Sequence, residues 1–101
     1  MNSQAIPNME IHQLRYFVAA AEEGSMTRAA ARLHLSQPAL SRQIAALEDE
    51  IGVELFARVK KRIHLSEAGR FFLTKARRIL CDIDTSVQQL REQFGSARET
   101  V

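Results

Sequence analysis

From Ile11 to Glu23 the apolar residues Ile11, Leu14, Phe17, Val18 and Ala21 recur at intervals of three and four, which predicts an amphipathic helix beginning soon after Met9. Gly24 follows, where a helix commonly ends on a glycine. Ser25 is a good N-cap for a second, short helix through Met26, Ala29, Ala30 and Leu33, whose alanines suit close packing on a neighbour. His34 and Leu35 then form a tight connection. Ser36 is a further N-cap, and Pro38 stands in the first turn of a third helix, where its missing N–H costs nothing. The stripe of that helix is Leu40, Ile44, Leu47 and Ile51, and Gly52 closes it.

Beyond Gly52 the period changes. Leu55, Phe56, Val59, Ile63 and Leu65 do not share a helical face, and the two short arms around Val59-Lys60-Lys61 alternate as strands do, which predicts a small β-hairpin. Its tip has no glycine, so a turn needing positive φ would put strain on a lysine. Ser66 caps a long helix in which Phe72, Ala76, Ile79, Ile83, Val87, Leu90 and Phe94 are spaced 4, 3, 4, 4, 3 and 4. About 28 residues at a rise of ~1.5 Å give a rod of roughly 42 Å, longer than the preceding domain can cover. The first turns of the seam meet their own domain, and the rest needs a partner. Residues 1–8 read as a flexible leader, and GSARETV at 95–101 as the start of a linker.

Composition narrows the class. A chain of 101 residues, 46% apolar and 26% charged, makes one small domain. The lone cysteine, Cys81, excludes an internal disulfide and reads as an exposed helical residue, and His12, His34 and His64 are too scattered for a zinc site. No segment reads as a membrane span or a secretory leader, so the expected location is cytoplasmic, and no cofactor is expected. The net charge is only +2, yet it is unevenly placed. Arg28, Arg32 and Arg42 stand in a stretch from Gly24 to Leu47 that has no acid, and Arg58, Lys60, Lys61 and Arg62 in another from Leu55 to Ser66. Between these stretches Glu48, Asp49, Glu50 and Glu54 form an acidic patch, read as solvated charge.

A helix, a glycine, a short alanine-rich helix, a tight turn and a capped helix with a basic polar face make a helix-turn-helix. At 100° per residue the core stripe of the third helix leaves Pro38, Ser41, Arg42 and Ala45 facing outward. Arg42 suits a guanine edge or a phosphate, Gln37 an adenine and Ser41 either, while Pro38 and Ala45 permit close approach to thymine methyls. Ser36 serves first as the cap, with a DNA contact compatible with that role. The cluster Arg58, Lys60, Lys61 and Arg62 would lie along the backbone or an adjacent minor groove as a wing. Arg28 and Arg32 suit either a phosphate contact or simple solvation. A winged helix can instead dock a partner protein, although a reader face without acids argues for DNA. No nucleophile–base set, phosphate loop or inward carboxylate pair suggests an enzyme.

The stretch LRYFVAAAEEGSMTRAAARLHLSQPALSRQIAALEDEIGVELFARVKKRIHLSEAG resembles the DNA-binding domain of LysR-type bacterial transcriptional regulators, and within them those of aromatic-compound breakdown. The resemblance implies a mainly α fold: a winged helix-turn-helix over 9–66, with a β-hairpin wing, and a linker and dimerisation helix over 67–94. It implies DNA contacts at Gln37, Pro38, Ser41 and Arg42, with Thr27 touching backbone and Arg58 in the wing. It further implies a homodimer on a palindromic operator through antiparallel long helices, with Phe72, Ala76, Ile79, Ile83, Val87 and Leu90 as its seam. Relatives continue into a small-molecule-sensing domain that forms tetramers, and nothing of that domain is present here.

Overall fold

The computed structural model describes residues 7–59 and 62–99, with side chains as far as residue 95. Helices α1 (Ile11–Glu23), α2 (Met26–Leu33) and α3 (Gln37–Ile51) are followed by strands β1 (Phe56–Val59) and β2 (Arg62–Leu65) and by helix α4 (Glu67–Glu99). This is the expected winged arrangement, with four helices and one antiparallel hairpin.

The helix ends follow from local chemistry. The Glu10 N–H donates to Oε1 of Gln13 at 2.9 Å, which satisfies a donor at the start of α1. Ser25 Oγ accepts from the Arg28 N–H at 3.2 Å and Ser36 Oγ from the Ala39 N–H at 3.2 Å, so both serines cap as their positions predict. Gly24 and Gly52 end α1 and α3 in the left-handed region, at φ 66° and 74°. His34 does the same for α2 at φ 59°, and its N–H donates to the Ala31 carbonyl at 3.2 Å. A side chain other than glycine thus makes the tight turn between the two helices.

The core is centred on Phe17, which is 0% exposed. Its ring meets those of Phe56 from β1 and Phe72 from α4, each at a centroid distance of 5.5 Å. Leu14, Val18 and Ala20 of α1, Met26, Ala29 and Ala30 of α2, and Leu40, Ile44 and Leu47 of α3 enclose it, joined by Leu55 and Ile63. The hairpin pairs Phe56 with Leu65, Ala57 with His64, Arg58 with Ile63 and Val59 with Arg62. Ile63 points into the core, so its neighbours Arg62 and His64 point out. Lys60 and Lys61, and the strained tip expected there, lie outside the described residues.

Three expectations are corrected. Ala76 is 0% exposed within its own chain and so is not available to a partner, and Phe72 is half-buried against Phe17. Helix α4 runs 33 residues to Glu99, so the helix expected to end at residue 94 continues through 95–99: no proline stops it, and Gly95 weakens it without breaking it. At the other end, the expectation of a loose leader through residue 8 fails at its last two members. Pro7 is half-buried, and the Asn8 N–H donates to Oε2 of Glu50 at 2.7 Å. Residues 1–6 lie outside the described residues.

Candidate nucleic-acid interface

The start of α3 carries the expected polar face. Ser36, Gln37, Pro38, Arg42 and Ala45 are exposed and Ser41 is half-buried, while Leu40, Ile44 and Leu47 fix the opposite face in the core. The Gln37 side-chain N–H donates to Ser41 Oγ at 3.3 Å, which holds two of the candidate base-reading groups in a fixed relation. Ser36 Oγ is engaged in capping, as expected.

The wing meets this face at the start of α2. Ser25, Met26, Thr27, Gln37, Arg58, Arg62 and Ile63 line a cleft of about 140 Å³. Thr27, Gln37, Arg58 and Arg62, separated by up to 35 positions in sequence, therefore share one concavity. Among the described residues Arg42, Arg58 and Arg62 have no carboxylate within ion-pair distance. Their charge stands uncompensated at the surface, as attraction of a polyanion requires. The structure does not place Lys60 and Lys61, which complete the predicted cation cluster.

The two arginines left open separate cleanly. Arg32 reaches Glu22 at 3.0 Å and Glu23 at 3.4 Å. Arg77 of α4 reaches the other oxygen of Glu22 at 2.9 Å. Hydrogen bonds from Arg77 and Arg32 hold the Glu22 carboxyl below the usual carboxylate range. Arg28 is held loosely, 3.9 Å from Glu23, with a side chain 72% exposed. The acid-free stretch in sequence is thus partly neutralised by two carboxylates from the end of α1, which stand immediately before it.

The acidic patch is likewise more than solvated charge. Oε2 of Glu48 accepts from the backbone N–H groups of Leu55 at 2.7 Å and Phe56 at 3.2 Å, tying the end of α3 to the start of the wing. His64 is a further surface residue that sequence reading passed over; the strand alternation that buries Ile63 is the signal that places it beside Arg62. Cys81 is exposed. No helix among the described residues is long and apolar enough to cross a membrane.

Residues 11–70 match the family described as bacterial regulatory helix-turn-helix protein, lysR family. The HTH-type transcriptional regulator ClcR of Pseudomonas putida is 48% identical over 91 residues, which cover 90% of this chain and 30% of that protein. TfdS of Cupriavidus pinatubonensis strain JMP 134 is 55% identical over 83 residues, covering 82% of this chain and 28% of that regulator. The chain thus spans under a third of the length of these relatives. Among solved structures, a complex of the CbnR DBD with DNA superposes at a TM-score of 0.81 with 48% identity, covering 84% of this chain and 98% of that one. The BenM DBD bound to benA site 1 DNA does so at 0.80 with 42% identity, covering 83% and 98%. With its family match, its relatives and its winged architecture in agreement, the chain belongs to the LysR family of bacterial regulatory helix-turn-helix proteins.

Proposed function

We propose that this chain is a sequence-specific DNA-binding domain that acts in the cytoplasm as a homodimer on a two-fold operator, with no catalytic role. The observation that carries the reading is the meeting of three elements at one cleft: the capped start of α3, the start of α2 and the wing arginines. Gln37, Pro38, Ser41 and Arg42 enter the major groove, where Arg42 forks onto a guanine or a phosphate. Thr27 and Ser36 face backbone, and Arg58, Lys60, Lys61 and Arg62 follow the backbone or the adjacent minor groove. The DNA complexes of the CbnR and BenM domains support this reading.

Pairing runs through α4. Leu90 and Phe94 are 60% and 62% exposed, Ile79 and Val87 are also exposed and Ile83 is half-buried, so an apolar edge extends past the domain that roots it. The spacings along the seam read the same in either direction about Ile83, so two antiparallel copies bring Ile79 of each against Val87 of the other, on either side of a central pair of Ile83 side chains. In a longer regulator, of the kind that ClcR and TfdS are named as, the domain directs transcription; small-molecule sensing and tetramer formation belong to sequence beyond this chain.

Selection of bound sequences from a random duplex pool at about 150 mM salt tests the reading. A two-fold motif is expected. Arg42→Ala relaxes it at a cost of about 1 to 3 kcal/mol, whereas Arg58→Ala or Arg62→Ala weakens all sequences alike. Featureless enrichment, or base preference that follows the wing and ignores Arg42, overturns it.

A further inference from the structure

A second cleft, of about 500 Å³, adjoins the first and shares Ser25, Arg62 and Ile63 with it. Its other lining residues are Glu23, Gly24, Arg28 and His64. Three nitrogen-bearing side chains from two elements, Arg28 of α2 and Arg62 and His64 of β2, therefore surround one concavity whose lining, among the described residues, includes none of α3.

We infer that this cleft seats a phosphodiester group of the DNA backbone, beyond those reached from the reader helix and the first cleft, with Arg28 and His64 as its donors and Glu23 as its brake. The inference rests on the DNA-binding reading above. Arg28 is suited to the role because its hold on the protein is weak: one carboxylate oxygen at 3.9 Å and the Glu23 carbonyl at 3.4 Å from its guanidinium. A phosphate oxygen offers a shorter, charge-assisted bond in their place. Arg32 cannot serve, since Glu22 and Glu23 both bind it. It acts instead as a positioning residue that offsets the charge of Glu23, the only acid lining the cleft among the described residues. His64 projects from the outer face of β2 opposite Ala57, a side chain too small to screen it.

The test is the salt dependence of binding to a short duplex of mixed sequence. Each phosphate contact made by a cation contributes about 0.9 to the slope of log K against log salt. Arg28→Ala is expected to make the slope shallower by about 0.9, Arg28→Lys to restore it, and His64→Lys to steepen it by a similar amount. Glu23→Gln is expected to tighten binding by about fivefold, the effect of one charge removed about 4 Å from a phosphate in water. Asp49→Asn makes the same change in net charge about 18 Å along α3 from Gln37, outside the lining of the cleft, and is expected to do little. Melting curves of each variant separate these effects from loss of fold. Slopes unchanged in Arg28→Ala and His64→Lys, or equal effects of Glu23→Gln and Asp49→Asn, overturn the inference. If the unaltered chain meanwhile selects a motif that Arg42→Ala relaxes, the DNA-binding reading survives alone; if that chain binds no duplex, both fall.

Discussion

Gly69, in the first turn of α4, is buried where the helix passes the end of the loop before β1. A Cβ added there would collide with the backbone carbonyl oxygen of Leu55 and stand 2.9 Å from Cδ2 of Leu65. That carbonyl is fixed, since it accepts the Ser66 N–H at 2.9 Å. Gly69→Ala is therefore expected to destabilise the fold by about 1 to 3 kcal/mol, although alanine is the better helix former. Gly95 gives the opposite result. The nearest atom to an added Cβ is Cβ of Arg91 at 3.8 Å, an ordinary contact, so Gly95→Ala is expected to stabilise α4 by up to about 1 kcal/mol. Urea unfolding of the two variants checks both signs. Nothing in the sequence distinguishes these glycines, because the difference lies in what another segment brings against one of them.

At the scale of elements, legibility follows the range of the interactions. The ends of α1, α2 and α3 could be read because Ser25, Ser36, Gly24 and Gly52 act within four residues of themselves. The outward face of α3 could be read for the same reason, its stripe being a local period. Contacts that bridge distant segments could not be read: Glu48 clasping the wing, Glu50 holding Asn8, and Arg77 reaching Glu22 across 55 positions. Helix α4 is the mixed case. Its seam was visible and so was the docking of its first turns on their own domain, but not that Leu80, off the seam, also packs there. The part left over decides pairing. Ile83→Asp with Val87→Asp places two charges on that edge and touches neither Phe17 nor the reader face, so sedimentation equilibrium at tens of micromolar is expected to show a monomer with unchanged helix content. A dimer that survives both aspartates would remove α4 as the interface.

For the molecule as a whole, the carboxylates at the end of α1 join three helices. Glu22 and Glu23 bind Arg32 of α2, and Glu22 also binds Arg77 of α4. The Glu22 carboxyl is held below its ordinary value by these hydrogen bonds, so it binds a proton less readily in the folded chain than in the unfolded one. Its contribution to stability is thus complete above the ordinary carboxylate range and is lost as pH falls through the lowered folded value. Melting temperatures followed downward from about pH 6 are expected to fall less steeply in Glu22→Gln than in the unaltered chain, and to converge with it at the acid end. Parallel curves would show that the contact carries no linkage.

The burial of Ala76 and the seating of Phe72 on Phe17 have a mechanical consequence. From Leu80, which still packs against the core, to Glu99 the helix runs about 28 Å, so a tilt of about 5° at its root carries the far end by about 2.5 Å. The arm works equally in reverse. A push at the far end arrives at Phe17, in the same core cluster as Leu40, Ile44 and Leu47, and so reaches the exposed face of α3 only through the packing that holds that helix.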